Sequence, residues 1–154
     1  MIKTLLLATA VAGLLAHAAH AGEATLSTAV FKEVETRAAD GKVTTALKPA
    51  ARVTPGDQVV YVLTYRNGAA GPAEGVVINN PLAKDLIYAG PADAKPPMVS
   101  IDGQTFGPLA KLTKTGAAGP VAANAADVTT LRWAIAQPVP AGGEVQMSFR
   151  ARLK

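Results

Sequence analysis

Wherever this chain is regular, side-chain character alternates at every second residue. That period fits an extended strand and excludes an amphipathic helix. Residues 145–154 are the clearest case. Val145, Met147, Phe149, Ala151 and Leu153 fall on one face, and Gln146, Ser148, Arg150, Arg152 and Lys154 on the other. Residues 58–66 repeat the pattern with Val59, Tyr61, Leu63 and Tyr65 on one face and Val60, Val62 and Thr64 on the other. Both faces of this second segment are apolar and its residues favour strands, as a central strand requires.

Turn signals punctuate the rest. Pro55-Gly56-Asp57 and Asn67-Gly68 bracket residues 58–66. Further strands are read at 26–35 and 42–48, joined by Asp40-Gly41, and at 75–79, 86–88, 98–101 and 128–135. Asp102-Gly103 marks a tight turn before Thr105-Phe106. Residues 116–127 are Ala-rich but interrupted by Gly119-Pro120, so they are read as a loop with at most one helical turn. About eight or nine short strands with turns between them specify an all-β, antiparallel β-sandwich. Val59, Tyr61, Leu63, Tyr65, Leu131, Trp133, Ile135, Met147 and Phe149 are its expected core.

The N-terminus reads differently. Lys3 precedes an uncharged run rich in Leu, Ala and Val, and Ala19-His20-Ala21 offers a small-residue cleavage site. This is the order of a secretory signal peptide over residues 1–21, with an apolar run too short to span a bilayer. The expected product begins at Gly22, is secreted to the periplasm or the cell surface, and has no membrane span. Residues 22–42 form an N-terminal strand or extension, and residues 43–154 the sandwich domain. His17 and His20 are the only histidines, and the chain has no cysteine. The processed protein therefore lacks the side chains that most often bind metals or move protons near neutral pH.

That loss narrows the chemistry. A Ser-His-Asp triad or a cysteine nucleophile is unavailable after cleavage. The eleven acidic residues are scattered singly over turns and strand ends, which is a poor basis for paired-carboxylate hydrolysis. No Gly-rich phosphate loop leads from a strand into a helix. No catalytic residue, metal ligand or cofactor is assigned. The net charge of +4 is spread along the chain without interleaved aromatics, which argues against nucleic acid as a partner.

Several residues have both a binding and a structural reading. Asp102-Gly103 reads as a hairpin turn and not as a calcium loop. Trp133 shares a face with Leu131 and Ile135, so it reads as core and not as a sugar platform. Arg150, Arg152 and Lys154, with Arg132 expected nearby, form the best candidate contact for an anionic partner. The structural reading of the stripe is a solvated face, or charges that deter edge-to-edge pairing. Residues 22–30 are small and alternate in character, and could add as a strand to a neighbour's open edge.

Several segments resemble a known family. Pro55-Gly56-Asp57 followed by Val59, Tyr61, Leu63, Tyr65 and Asn67 resembles the opening of the domain of unknown function 11 family, also called the conserved repeat domain. Ala73, Val76, Val77, Ile78, Asn80, Pro81, Leu82, Leu86 and Tyr88 are similar to its next segment. Ser100, Asp102, Gly103, Thr105, Phe106 and Gly107 resemble a later one, as do Asp127, Val128, Leu131, Arg132 and Trp133. Phe149-Arg150-Ala151 resembles its closing strand. The resemblance runs over residues 45–153. It implies an Ig-like Greek-key sandwich on secreted or surface proteins of bacteria, with no assigned catalytic site. The expectation is a non-enzymatic structural or interaction protein of the cell envelope. The alternatives are a subunit of a strand-exchange surface polymer and a carbohydrate-binding module. Other envelope proteins or surface polymers are the expected partners, in an oligomeric state left open.

Overall fold

A computed structural model describes residues 23–154. The signal-peptide reading of residues 1–21, with His17 and His20, lies outside the described residues. Ten strands follow one another: β1 (Thr25–Arg37), β2 (Val43–Pro49), β3 (Gln58–Arg66), β4 (Val77–Pro81), β5 (Leu86–Pro91), β6 (Met98–Ser100), β7 (Thr113–Gly116), β8 (Gly119–Ala122), β9 (Thr130–Ala134) and β10 (Glu144–Leu153). They form a five-stranded sheet in the order β2-β1-β3-β10-β5, a three-stranded sheet β4-β9-β6, and a β7-β8 hairpin. All strand pairings are antiparallel.

The alternation read from the sequence sets the register. Antiparallel pairing of β3 with β10 puts Val59 opposite Ala151, Tyr61 opposite Phe149, Leu63 opposite Met147 and Tyr65 opposite Val145. A one-residue slip would turn all of these outward, so burial of one face fixes the pairing. Leu131 and Trp133 of β9, Ile78 of β4 and Val99 of β6 close over them from the smaller sheet, with Leu86 and Tyr88 of β5 completing the cluster. The Tyr61 and Phe149 rings stack at 5.0 Å, and Trp133 lies 6.1 Å from Phe149 at a tilt of 41°. Each large apolar side chain buried here contributes about 1.5–3 kcal/mol.

Asn67, at the end of β3, is the largest polar side chain sealed inside, at 1% exposure. Its Nδ2 donates to the carbonyls of Gly71 (2.8 Å), Val139 (2.9 Å) and Pro140 (3.2 Å), and its Oδ1 accepts from Ala69 N–H (3.0 Å). Its backbone pairs with Gly142 and Gly143. One side chain therefore fastens the loop after β3 to the loop before β10, and every hydrogen bond it makes replaces one lost to water.

Two segments depart from the sequence reading. Residues 116–127 are not a plain loop. Gly116 pairs with Gly119 to close the β7-β8 hairpin around Ala117-Ala118, and a 3-10 turn at Ala125–Asp127 follows. Asn124 Oδ1 accepts from Ala126 N–H at 2.9 Å and Asp127 Oδ2 from Asn124 N–H at 2.8 Å, a reciprocal capping box at the N-terminus of that turn. Second, residues 25–31 are committed to β3 of their own chain, with Thr25 opposite Arg66 and Phe31 opposite Val60. They are not a loose strand waiting for a neighbour. Beyond Phe31, β1 turns its other edge to β2, and the two run on as an arm whose β2 residues are all exposed.

Candidate functional site

The basic stripe read from the sequence lies at the C-terminal end of β10. Phe149 and Ala151 face the core, so Arg150 and Arg152 point outward from the five-stranded sheet. Leu131 and Trp133 likewise face the core from the opposite sheet, which sends Arg132 outward on the other side of the sandwich. Arg132 is therefore not a neighbour of the stripe. The period of two assigns each side chain to a face of its own strand, but it does not say which sheet that strand joins. Arg132 donates from Nε to Asn79 Oδ1 at 2.7 Å and lies 3.5 Å over the Phe106 ring, a cation–π contact that holds a surface turn.

Arg150 is also engaged. Its Nη2 and Nε reach the Glu33 carboxylate at 2.6 and 3.1 Å, across β3 from β10 to β1. The hydrogen bond from Arg150 lowers the Glu33 pKa, and Glu33 raises that of Arg150. The pair pins β1 to the sheet. Lys154 Nζ donates to the Lys84 carbonyl. Arg152 is exposed and is in no ion pair among the described residues. Of the predicted stripe, Arg152 and Lys154 are the charges still turned toward solvent.

The carboxylates with shifted pKa values all shift the same way. Asp57 is lowered to about 2 by the Lys32 ammonium at 2.6 Å and by the N–H and hydroxyl of Thr54. Asp102 is held well below the usual carboxylate range by the N–H groups of Gln104 and Thr105, with the Ser100 hydroxyl adding to them. Asp127 is lowered by Lys114 at 2.6 Å and by Asn124 N–H. Each of these aspartates accepts backbone N–H groups of its own turn, and Asp57 and Asp127 add a cation from a separate strand, Lys32 of β1 and Lys114 of β7. Asp102 Oδ1 takes three donors and closes the hairpin turn at Gly103, whose φ is +75°. That is the turn reading of Asp102-Gly103. Among the described residues no three His, Cys, Asp or Glu side chains gather as metal ligands.

These shifts fix the direction of acid sensitivity. A carboxylate whose pKa is depressed by folding stabilises the protein fully above its unfolded pKa, about 3.9. That contribution is lost as pH falls through the folded value. The melting temperature is expected to hold near neutrality and to drop between pH about 4 and about 2, the window set by Asp57. Calorimetry of the Asp57→Asn protein should give a shallower acid slope over that interval, because the amide does not titrate.

Sequence reasoning missed one surface. β6 pairs with β9 only from Met98↔Arg132 to Ser100↔Thr130. Pro96 and Pro97 precede β6, and a proline has no N–H with which to extend the ladder. Among the described residues, the edge of β9 has no strand neighbour beyond Arg132 on that side. A groove of about 550 Å³ opens there, lined by Pro96, Met98, Trp133, Ile135, Pro138 and Val145, with Lys95, Arg132 and Glu144 supplying charge. Trp133 Nε1 donates to the Lys95 carbonyl at 2.9 Å, and the residue is 4% exposed. Its ring is therefore a wall of the core that also floors the groove. The Pro96-Pro97 and Pro138-Val139-Pro140 runs were the available signal, as places where strand pairing must stop.

No family model, curated protein or solved structure gives a significant match to this chain. Among the described residues, no helix is long and apolar enough to cross a membrane.

Proposed function

We propose that this chain is a secreted, non-enzymatic Ig-like domain that works by contact, as a structural or interaction protein of the bacterial cell envelope. The observation that carries this reading is the use made of its charged groups. Glu33, Asp57, Asp102 and Asp127 are all held ionised by structural partners. A general acid needs its pKa raised toward neutrality, the opposite shift. What remains for recognition is the groove beside β9 and the solvent-facing pair Arg152 and Lys154. The Ig-like Greek-key connectivity belongs to the same proposal. It is supported by the segment-by-segment resemblance to the conserved repeat domain and by strands that pass between sheets from β3 to β4, β5 and β6, and from β9 to β10.

Purified protein incubated with washed envelope fractions should be retained. The Arg152→Glu/Lys154→Glu protein should be retained severalfold less, and the difference should shrink in high salt, as expected for exposed charges. A broad hydrolase screen should stay blank. Passage of the parent protein straight through the envelope fraction would refute the reading.

A further inference from the structure

The exposed edge of β2 has a symmetry of its own. Along β2, Lys42 O accepts from Ala38 N–H and Ala50 N–H donates to Val30 O. The register adds Thr36↔Thr44, Val34↔Ala46 and Lys32↔Lys48 between these two pairs. Hydrogen-bonding residues alternate sides along an antiparallel strand. The even-numbered residues of β2 therefore bond to β1, and Val43, Thr45 and Leu47 turn their N–H and C=O groups outward. Among the described residues no strand lies on that side, because β2 ends the sheet.

We propose that this edge pairs with the same edge of a second copy of the chain, antiparallel, about a two-fold axis through Thr45. In that register Thr45 faces its own copy and Val43 faces Leu47. Every outward N–H and C=O of the three residues then finds a partner on both chains. Val43 and Leu47, 45% and 46% exposed in the single chain, pack against each other across the axis. The neighbouring registers fail on identifiable residues. A two-residue slip one way puts Leu47 against Gly41 in the turn. A slip the other way puts Val43 against Pro49, which has no N–H.

The uncharged centre of the stretch and the other edges favour this choice. Residues 43–47 carry no charge, but the same register sets Lys42 opposite Lys48 of the other copy at each end, a like-charge pair that weakens the dimer and is relieved by salt. Natural edges are usually blunted by proline or inward charge. β5, the opposite edge of the same sheet, ends in Gly90-Pro91, and β8 contains Pro120; β2 also ends in a proline, Pro49, but is open from Val43 to Leu47. Two such short segments bury less than the roughly 1,200 Å² of a stable protein interface. The dimer is therefore weak and dependent on concentration, and the assembly forms one continuous sheet through two arms.

The test does not depend on the envelope reading. Sedimentation of the purified protein should show a monomer–dimer equilibrium that shifts with concentration. Thr45→Pro removes an outward N–H without touching the β1 ladder, and should reduce the dimer fraction at least tenfold while leaving the circular-dichroism spectrum unchanged. Because the chain has no cysteine, a single one reports geometry. Facing residues in a bonded antiparallel pair lie about 5.5 Å apart at Cα, within disulfide reach. Under mild oxidation Thr45→Cys should cross-link to its own copy at least tenfold faster than Thr44→Cys. A monomer at every concentration, or equal cross-linking of the two variants, would overturn the proposal.

Discussion

Asn67→Asp is expected to unfold the protein at room temperature, although it changes one amide to one carboxylate of the same shape. Asn67 Nδ2 points at three carbonyl oxygens, those of Gly71, Val139 and Pro140. An oxygen in its place faces three acceptors with no proton to offer. If the new carboxyl ionises, a charge is sealed at a site 1% exposed and ringed by like partial charges. If it stays neutral, its single proton serves one carbonyl and leaves the others unsatisfied. Each buried group left without a partner costs about 1–3 kcal/mol, more when charged. The sum rivals the whole stability of a domain, about 5–15 kcal/mol. Urea denaturation should show the loss. Asn79→Asp is the control: that side chain is exposed and accepts from Arg132, so its replacement should stay within about 0.5 kcal/mol of the parent.

The sequence described Asn67 as half of a turn signal, and that was as far as one segment allows. Its buried role depends on residues 137–143 docking beside it, which no local pattern states. The strands were legible because alternation is local. β3, β10 and β9 were read close to their observed bounds, and Trp133, Phe149 and Leu63 lie in the core where their faces put them. The β7-β8 hairpin was missed because Thr-Lys-Thr-Gly and Gly-Pro-Val-Ala have almost no apolar alternation. Their pairing is set by the backbone of the turn, where Gly119 takes φ +123°. Arg132 was grouped with Arg150 for a related reason. Outward orientation is written in each strand, but which of two sheets a strand joins depends on contacts far apart in sequence. The groove belongs to the same class of feature, since it opens where two proline-containing loops leave β9 uncovered.

Phe149→Ala is expected to cost about 3–5 kcal/mol, the range for removing a buried aromatic side chain. Phe149 is 1% exposed and sits midway along β10. It stacks on Tyr61 within its own sheet and meets Trp133 of the facing sheet. Deleting the ring removes transfer free energy and leaves a void. The sheets cannot close over that void without breaking the register that pairs Leu63 with Met147 on one side and Val59 with Ala151 on the other. The void therefore persists, which places the cost toward the upper end of the range. Phe149→Leu keeps much of the volume and should cost roughly 1–2 kcal/mol. Leu26→Ala, on a residue 48% exposed, should change little. The denaturation midpoint of Phe149→Ala should move with the slope unchanged, because one core joins both sheets and they unfold together. Two separated transitions would mean that the sheets are held independently and that the aromatic contact between them contributes little.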